Sequence, residues 1–105
     1  MITHHHWDHT GGIDALLVSF PDIPVYGPQN KNINQITVRL SQDDNLELPQ
    51  FDLKFSVLEI PGHTLDHIAY YGDIGLFCGD TLFSAGCGRL FEGTPQQMFT
   101  SLAKL

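Results

Sequence analysis

Thr3-His4-His5-His6-Trp7-Asp8-His9 puts four candidate metal ligands, His4, His6, Asp8 and His9, into six consecutive positions, and this stretch decides the reading of the chain. Residues two apart lie on the same side of an extended segment but do not face each other on a helix, so His4 and His6 fit an extended strand end. Neutral imidazole and carboxylate form the ligand set of zinc, iron and manganese. Four such groups exceed what one tetrahedral ion takes from a single loop, which points to two adjacent ions. A purification tag would be an uninterrupted run and would not continue into Trp7, Asp8 and Gly11-Gly12. His5, on the opposite side of the segment, reads as structural.

Downstream, Ile13 to Val18 before Pro21 predicts a helix of about two turns. Ile23 to Tyr26 is a short β-rich run, and Asn30 to Gln35 predicts a loop or a single helical turn. Thr37 to Leu40 and Leu46 to Leu48 flank the turn-forming Asp43-Asp44-Asn45. Phe51 to Val57 alternates apolar with polar residues, the period of a half-buried antiparallel strand, and that strand stops at Pro61-Gly62. His63 is thereby placed on a loop at a strand end. His67 to Tyr71 and Leu76 to Cys78 predict two more strands around Gly72-Asp73-Ile74-Gly75, with Asp80 just beyond the second. His67, opening a strand, reads as structural. Thr94-Pro95-Gln96-Gln97 carries the N-cap, first-position proline and capping-box glutamine of a final helix.

The 105 residues, 42% of them hydrophobic, are the size of one small domain. Twelve acidic against five basic residues give a formal charge of −7, which disfavours nucleic acid and anionic membranes as partners. Cys78 and Cys87 form no Cys-x-x-Cys pair, so a cytoplasmic protein with two free thiols is expected, and Cys87 reads as a small packing residue. No apolar run is long enough to span a membrane.

The order His-x-His-x-Asp-His, then Gly62-His63, then Gly79-Asp80 resembles the metal-binding series of the metallo-β-lactamase superfamily over residues 3 to 94. The Thr3 to His9 motif together with Gly79 to Thr94 is similar to the glyoxalase II (hydroxyacylglutathione hydrolase) branch in particular. The resemblance implies an α/β (α+β) fold, part of an αβ/βα sandwich with a mainly antiparallel sheet over residues 37 to 83 and flanking helices after Gly12 and Thr94. Residues 1–105 are then expected to form part of a catalytic domain, truncated at both ends, with an unpaired sheet edge and an exposed apolar face. His4, His6 and His63 would bind a first divalent ion, Asp8 and His9 a second, and Asp80 would bridge them. Zinc is the expected metal, with iron or manganese as alternatives. The family's further histidine downstream of the bridging aspartate has no counterpart, since all six histidines lie at or before position 67. Arg89 falls where the family places a basic residue against the glycine carboxylate of glutathione, and Phe91 where many members carry tyrosine.

Two ions that share a water lower its pKa and supply a hydroxide without a protein nucleophile, with Asp8 and Asp80 as the catalytic carboxylates. The implied reaction is hydrolysis of S-lactoylglutathione to glutathione and lactate, with a small-molecule thioester as the partner. The oligomeric state is left open. A lactone, β-lactam or phosphodiester hydrolase of the same fold, or a non-catalytic metal-binding fragment, remains an alternative. The acidic balance argues against the nuclease.

Overall fold

The computed structural model describes all of Met1–Leu105. Its elements are α1 (Trp7–Thr10), α2 (Ile13–Ser19), β1 (Tyr26–Gly27), β2 (Val38–Arg39), β3 (Asn45–Leu48), β4 (Leu53–Glu59), β5 (Ile68–Gly72), β6 (Gly75–Phe77), β7 (Leu82–Phe83), β8 (Gly86–Cys87) and α3 (Pro95–Lys104). Strands β3 to β6 form one antiparallel sheet in sequence order, as expected for neighbours joined by short turns. The period of two in β4 buries Phe55 and Val57 and leaves Lys54 and Ser56 outside. Leu40, Leu46, Ile68 and Tyr70 complete the core on that face.

The expected single sheet over residues 37 to 83 is divided. β2 pairs in parallel with β1, and β7 and β8 close a hairpin of their own. The division begins at the turn after Leu40, where Asp44 caps the Ser41 amide and Asp43 takes a left-handed conformation with φ 67°. This turns the chain away from β1 before β3 starts. Helix α2 packs elsewhere than expected: Ile13 and Leu17 join Ile2, Val25, Ile33 and Ile36 in a second apolar cluster, away from the four-stranded sheet.

The N-terminal segment joins the two clusters. The Ile2 amide donates to Tyr26 O at 2.8 Å, the Ile68 amide to Thr3 O at 2.9 Å, and the Tyr70 hydroxyl to Ile2 O at 2.7 Å. Residues 2 and 3 therefore run between β1 and β5, and His4 emerges from that slot. Helix α3 forms with the expected capping box between Thr94 and Gln97. It caps the loop after β4, where Ser101 donates to Pro61 O at 2.7 Å and Lys104 to Glu59 O at 2.7 Å. β3 and β6 are the outer strands of the sheet, and Tyr71, Phe77, Leu82 and Phe83 are among the exposed large apolar side chains. No helix is long and apolar enough to cross a membrane.

Candidate metal centre

Three chain segments meet at one end of the β4–β5 pair. The anchored Ile2–Thr3 segment delivers His4 and His6, and the single turn α1 follows with Asp8 and His9. The loop from Ile60 to His67, closed by the Ile60 amide on His67 O at 2.9 Å, carries His63. Beyond β6 the chain turns at Gly79, whose φ of 51° and closeness to Thr3 and the His67 ring leave no room for a Cβ, and presents Asp80.

His6 Nδ1 lies 3.0 Å from His63 Nε2, His63 Nε2 lies 3.2 Å from Asp80 Oδ2, and His9 Nε2 lies 3.3 Å from Asp80 Oδ1. His4 Nε2 is 3.9 Å from Asp80 Oδ2. Two groups of ligand atoms, His4/His6/His63 and His4/His9/Asp80, each fit within 4.8 Å. Ligands about 2.0–2.1 Å from a tetrahedral ion stand about 3.3 Å apart, and these separations bracket that value. The two oxygens of Asp80 face different histidines, the arrangement a bridging carboxylate needs.

The donor chemistry fits a cation as well. His63 Nδ1 donates to Arg89 O at 2.6 Å, which leaves Nε2 as a bare lone pair aimed at His6 and Asp80. His4 Nδ1 meets the Thr3 hydroxyl at 3.0 Å, while its fully buried Nε2 has no hydrogen-bond partner. A buried nitrogen of this kind is costly unless something binds it. Burial, followed by the neighbouring imidazoles of His67, His9, His6 and His63, pushes the His4 pKa down to about 2. His4 is thus held neutral, the state a metal ligand requires.

His67 lies behind this layer and is fully buried. Its ring stacks on His4 with centroids 4.4 Å apart, its Nδ1 donates to Ile68 O at 3.1 Å, and its Nε2 accepts the Asp80 amide at 3.2 Å. Burial lowers its pKa to about 4. Nothing in the sequence marks a backbone amide as its partner, so this support of Asp80 is visible only in three dimensions.

Five of the six expected ligands, His4, His6, His9, His63 and Asp80, are brought together. Asp8 is not. Its carboxylate lies at the rim, 72% exposed, and reaches only His9, at 3.5 Å. The Phe91 ring stands edge-on to His6 and His63 at 5.2 and 5.3 Å, and the Arg89 guanidinium lies 4.9 Å over the Phe91 ring. His5 turns away from the centre and bonds Glu92 at 2.7 Å. Asp66 approaches the same pair, but its oxygens accept from Thr64 and Asn30, so the carboxylates of this third group already have hydrogen-bond partners.

Gly88 passes so close to Asp80 that a Cβ there would overlap the Asp80 carbonyl oxygen. The obstruction is backbone, and no side-chain rotation relieves it. Gly88→Ala is expected to cost about 1–3 kcal/mol of stability and to displace Asp80. Urea unfolding combined with metal content after dialysis checks this, and a variant with wild-type values of both contradicts it.

The model of the metallo-beta-lactamase superfamily matches residues 1–105. The chain is 60% identical over its whole length to the hydroxyacylglutathione hydrolase of Nitrosomonas eutropha and covers 41% of that protein. It spans about two-fifths of the length of the curated relatives it matches. Among solved structures it superposes on ETHE1 from Myxococcus xanthus with a TM-score of 0.83 and 34% identity, over 98% of this chain and 45% of that one. It superposes on TTHA1623 in a di-iron-bound form with a TM-score of 0.73 and 28% identity, over 97% of this chain and 60% of that one. A histidine-aspartate centre on strand-end loops, a family match from end to end and these superpositions agree: the chain belongs to the metallo-beta-lactamase superfamily.

Proposed function

We propose that this chain carries metal-binding and catalytic residues of a hydroxyacylglutathione hydrolase, which cleaves S-(2-hydroxyacyl)glutathione to glutathione and a 2-hydroxy acid. The observation that carries the reading is the convergence of His4, His6, His9, His63 and Asp80, with the His4 Nε2 lone pair buried and unpartnered. The relatives named hydroxyacylglutathione hydrolase support the thioester substrate.

In this reading His4, His6 and His63 would hold one divalent cation, Asp8 and His9 the second, and Asp80 would serve both. A bound pair of divalent cations supplies an activated water and a Lewis acid for the thioester carbonyl. The chain's own residues orient the rest. His63, locked by Arg89 O, and His4, kept neutral by burial, present fixed lone pairs. The Phe91 ring packs edge-on with the His6 and His63 rings. The Arg89 guanidinium, held over that ring, would meet the glycine carboxylate of the glutathione moiety. A thiol with a pKa near 8.5 leaves as thiolate without a strong general acid, so no side chain has to donate a proton at the sulfur.

Zinc is the proposed metal, because imidazoles dominate the donor set, with iron or manganese as alternatives. A cytoplasmic location is proposed from the two free thiols. The test is reconstitution with zinc, iron(II) or manganese, followed by assay against S-lactoylglutathione, a lactone and a β-lactam. Thioester hydrolysis that rises with bound metal and exceeds the other two substrates is expected. A preference for lactone or β-lactam, or no thioester hydrolysis with metal bound, overturns the substrate assignment.

A further inference from the structure

We propose that Glu92 is a positioning residue for the metal centre, its carboxylate tying the His4–His6 segment to the His63 loop through His5 on one oxygen and the Leu65 amide on the other. The inference rests on the metal-centre reading above. Glu92 Oε2 accepts from His5 Nε2 at 2.7 Å and Oε1 accepts from Leu65 N at 2.8 Å.

The chain bends at His5, between the anchored Thr3 and α1, so a hold on the His5 side chain fixes the course of the backbone that carries its neighbours His4 and His6. The two ends of that segment are anchored differently. Thr3 is fastened to β5 through Ile68, whereas the backbone hydrogen bonds at His6 are local: the amides of His9 and Thr10 donate to His6 O at 2.9 and 3.2 Å. Through His5, Glu92 supplies a cross-chain tether for that end beside the His6–His63 contact.

The other half of the tether is already strapped in place. The Phe91 amide donates to His63 O at 3.2 Å and the Gly93 amide to Gly62 O at 3.0 Å, so residues 91 to 93 follow the His63 loop. The Glu92 side chain extends this strap across to the first motif. With both loops held, His6 Nδ1 and His63 Nε2 stand 3.0 Å apart, close to the spacing one cation requires. Without the tether, binding itself would have to gather the two loops, and affinity would fall by the cost of ordering them.

The experiment is cobalt(II) titration of the purified chain, with the visible absorption band as the readout, for wild type, Glu92→Ala, Glu92→Gln and His5→Ala. Glu92→Ala is expected to bind the first equivalent about 10- to 100-fold more weakly, with a shifted or weakened band. Glu92→Gln should stay within about threefold of wild type, because its amide oxygen accepts from Leu65 and its NH2 donates to His5 in the other tautomer. If Glu92→Ala does not fold in EDTA, His5→Ala breaks the same tether with Glu92 intact and should weaken binding in the same direction. Wild-type affinity in Glu92→Ala or His5→Ala overturns the proposal, as does a Glu92→Gln variant as weak as Glu92→Ala. A wild-type chain that binds no cobalt overturns the metal centre itself, an outcome separate from any difference among variants.

Discussion

Asp80→Ala is expected to lower thioester hydrolysis about 10³-fold while leaving the fold intact. Asp80 is the carboxylate whose oxygens face His63 on one side and His9 on the other, at 3.2 and 3.3 Å. Its loss leaves four imidazoles with no anion between them, so cations brought close together would repel without compensation. The fold should survive because the contact anchoring this position to its surroundings, the Asp80 amide on His67, belongs to the backbone. Asp80→Asn keeps the shape and removes the charge, and should fall in the same range, since a neutral amide is a poor ligand for two divalent ions. Turnover and bound metal measured on one sample, alongside a thermal melt of the metal-free protein, decide the matter. Activity within tenfold of wild type would remove Asp80 from the mechanism.

The chain announced much of this centre because metal chemistry restricts both residue type and spacing. His4 and His6 are separated by one residue and reach the same centre, His6 beside His63 and His4 beside Asp80, although the chain bends at His5 between them rather than running extended. His63 and Asp80 sit where Pro61-Gly62 and Gly79 stop strands. What remained hidden depends on partners with no signature in a sequence. Every residue carries a carbonyl, so Arg89 O could not be singled out as the acceptor that aims His63. The Asp80 amide on His67 was invisible for the same reason, and His67 read only as a structural residue at a strand start. The parallel pairing of β1 with β2 was missed because two residues per strand are too few for a period to show. The turn at Asp43-Asp44 was legible, but the strand it separates from β3 was not assignable to another sheet. Asp8 keeps the place beside His9 that the motif gives it, at 3.5 Å, while its exposure at the rim, on the single turn α1, has no signature in the sequence.

Acid is expected to destabilise the metal-free protein steeply below pH 6.5, through two histidines held neutral by burial. His67 and His4 are fully buried in the fold, with pKa values lowered from 6.5 to about 4 and about 2. In the unfolded chain both return to about 6.5. Between pH 6.5 and about 4 the unfolded state therefore binds more protons than the folded state. Stability rises with pH in that window and is lost as pH falls through it. Two protons give a limiting slope of about 2.7 kcal/mol per pH unit, and the loss between pH 6.5 and pH 5 is about 3 kcal/mol. That is a large fraction of the total stability of a small domain. Above pH 7.5 neither group is charged in either state, and the contribution vanishes. Urea unfolding in EDTA at pH 7.5, 6.5, 5.5 and 5.0 measures the slope. His67→Gln, whose amide oxygen can still accept the Asp80 amide, should reduce it to that of one proton. An unfolding free energy that stays level from pH 7.5 to pH 5.0 would show that His4 and His67 take up protons without leaving the folded state, and that their burial does not hold them neutral.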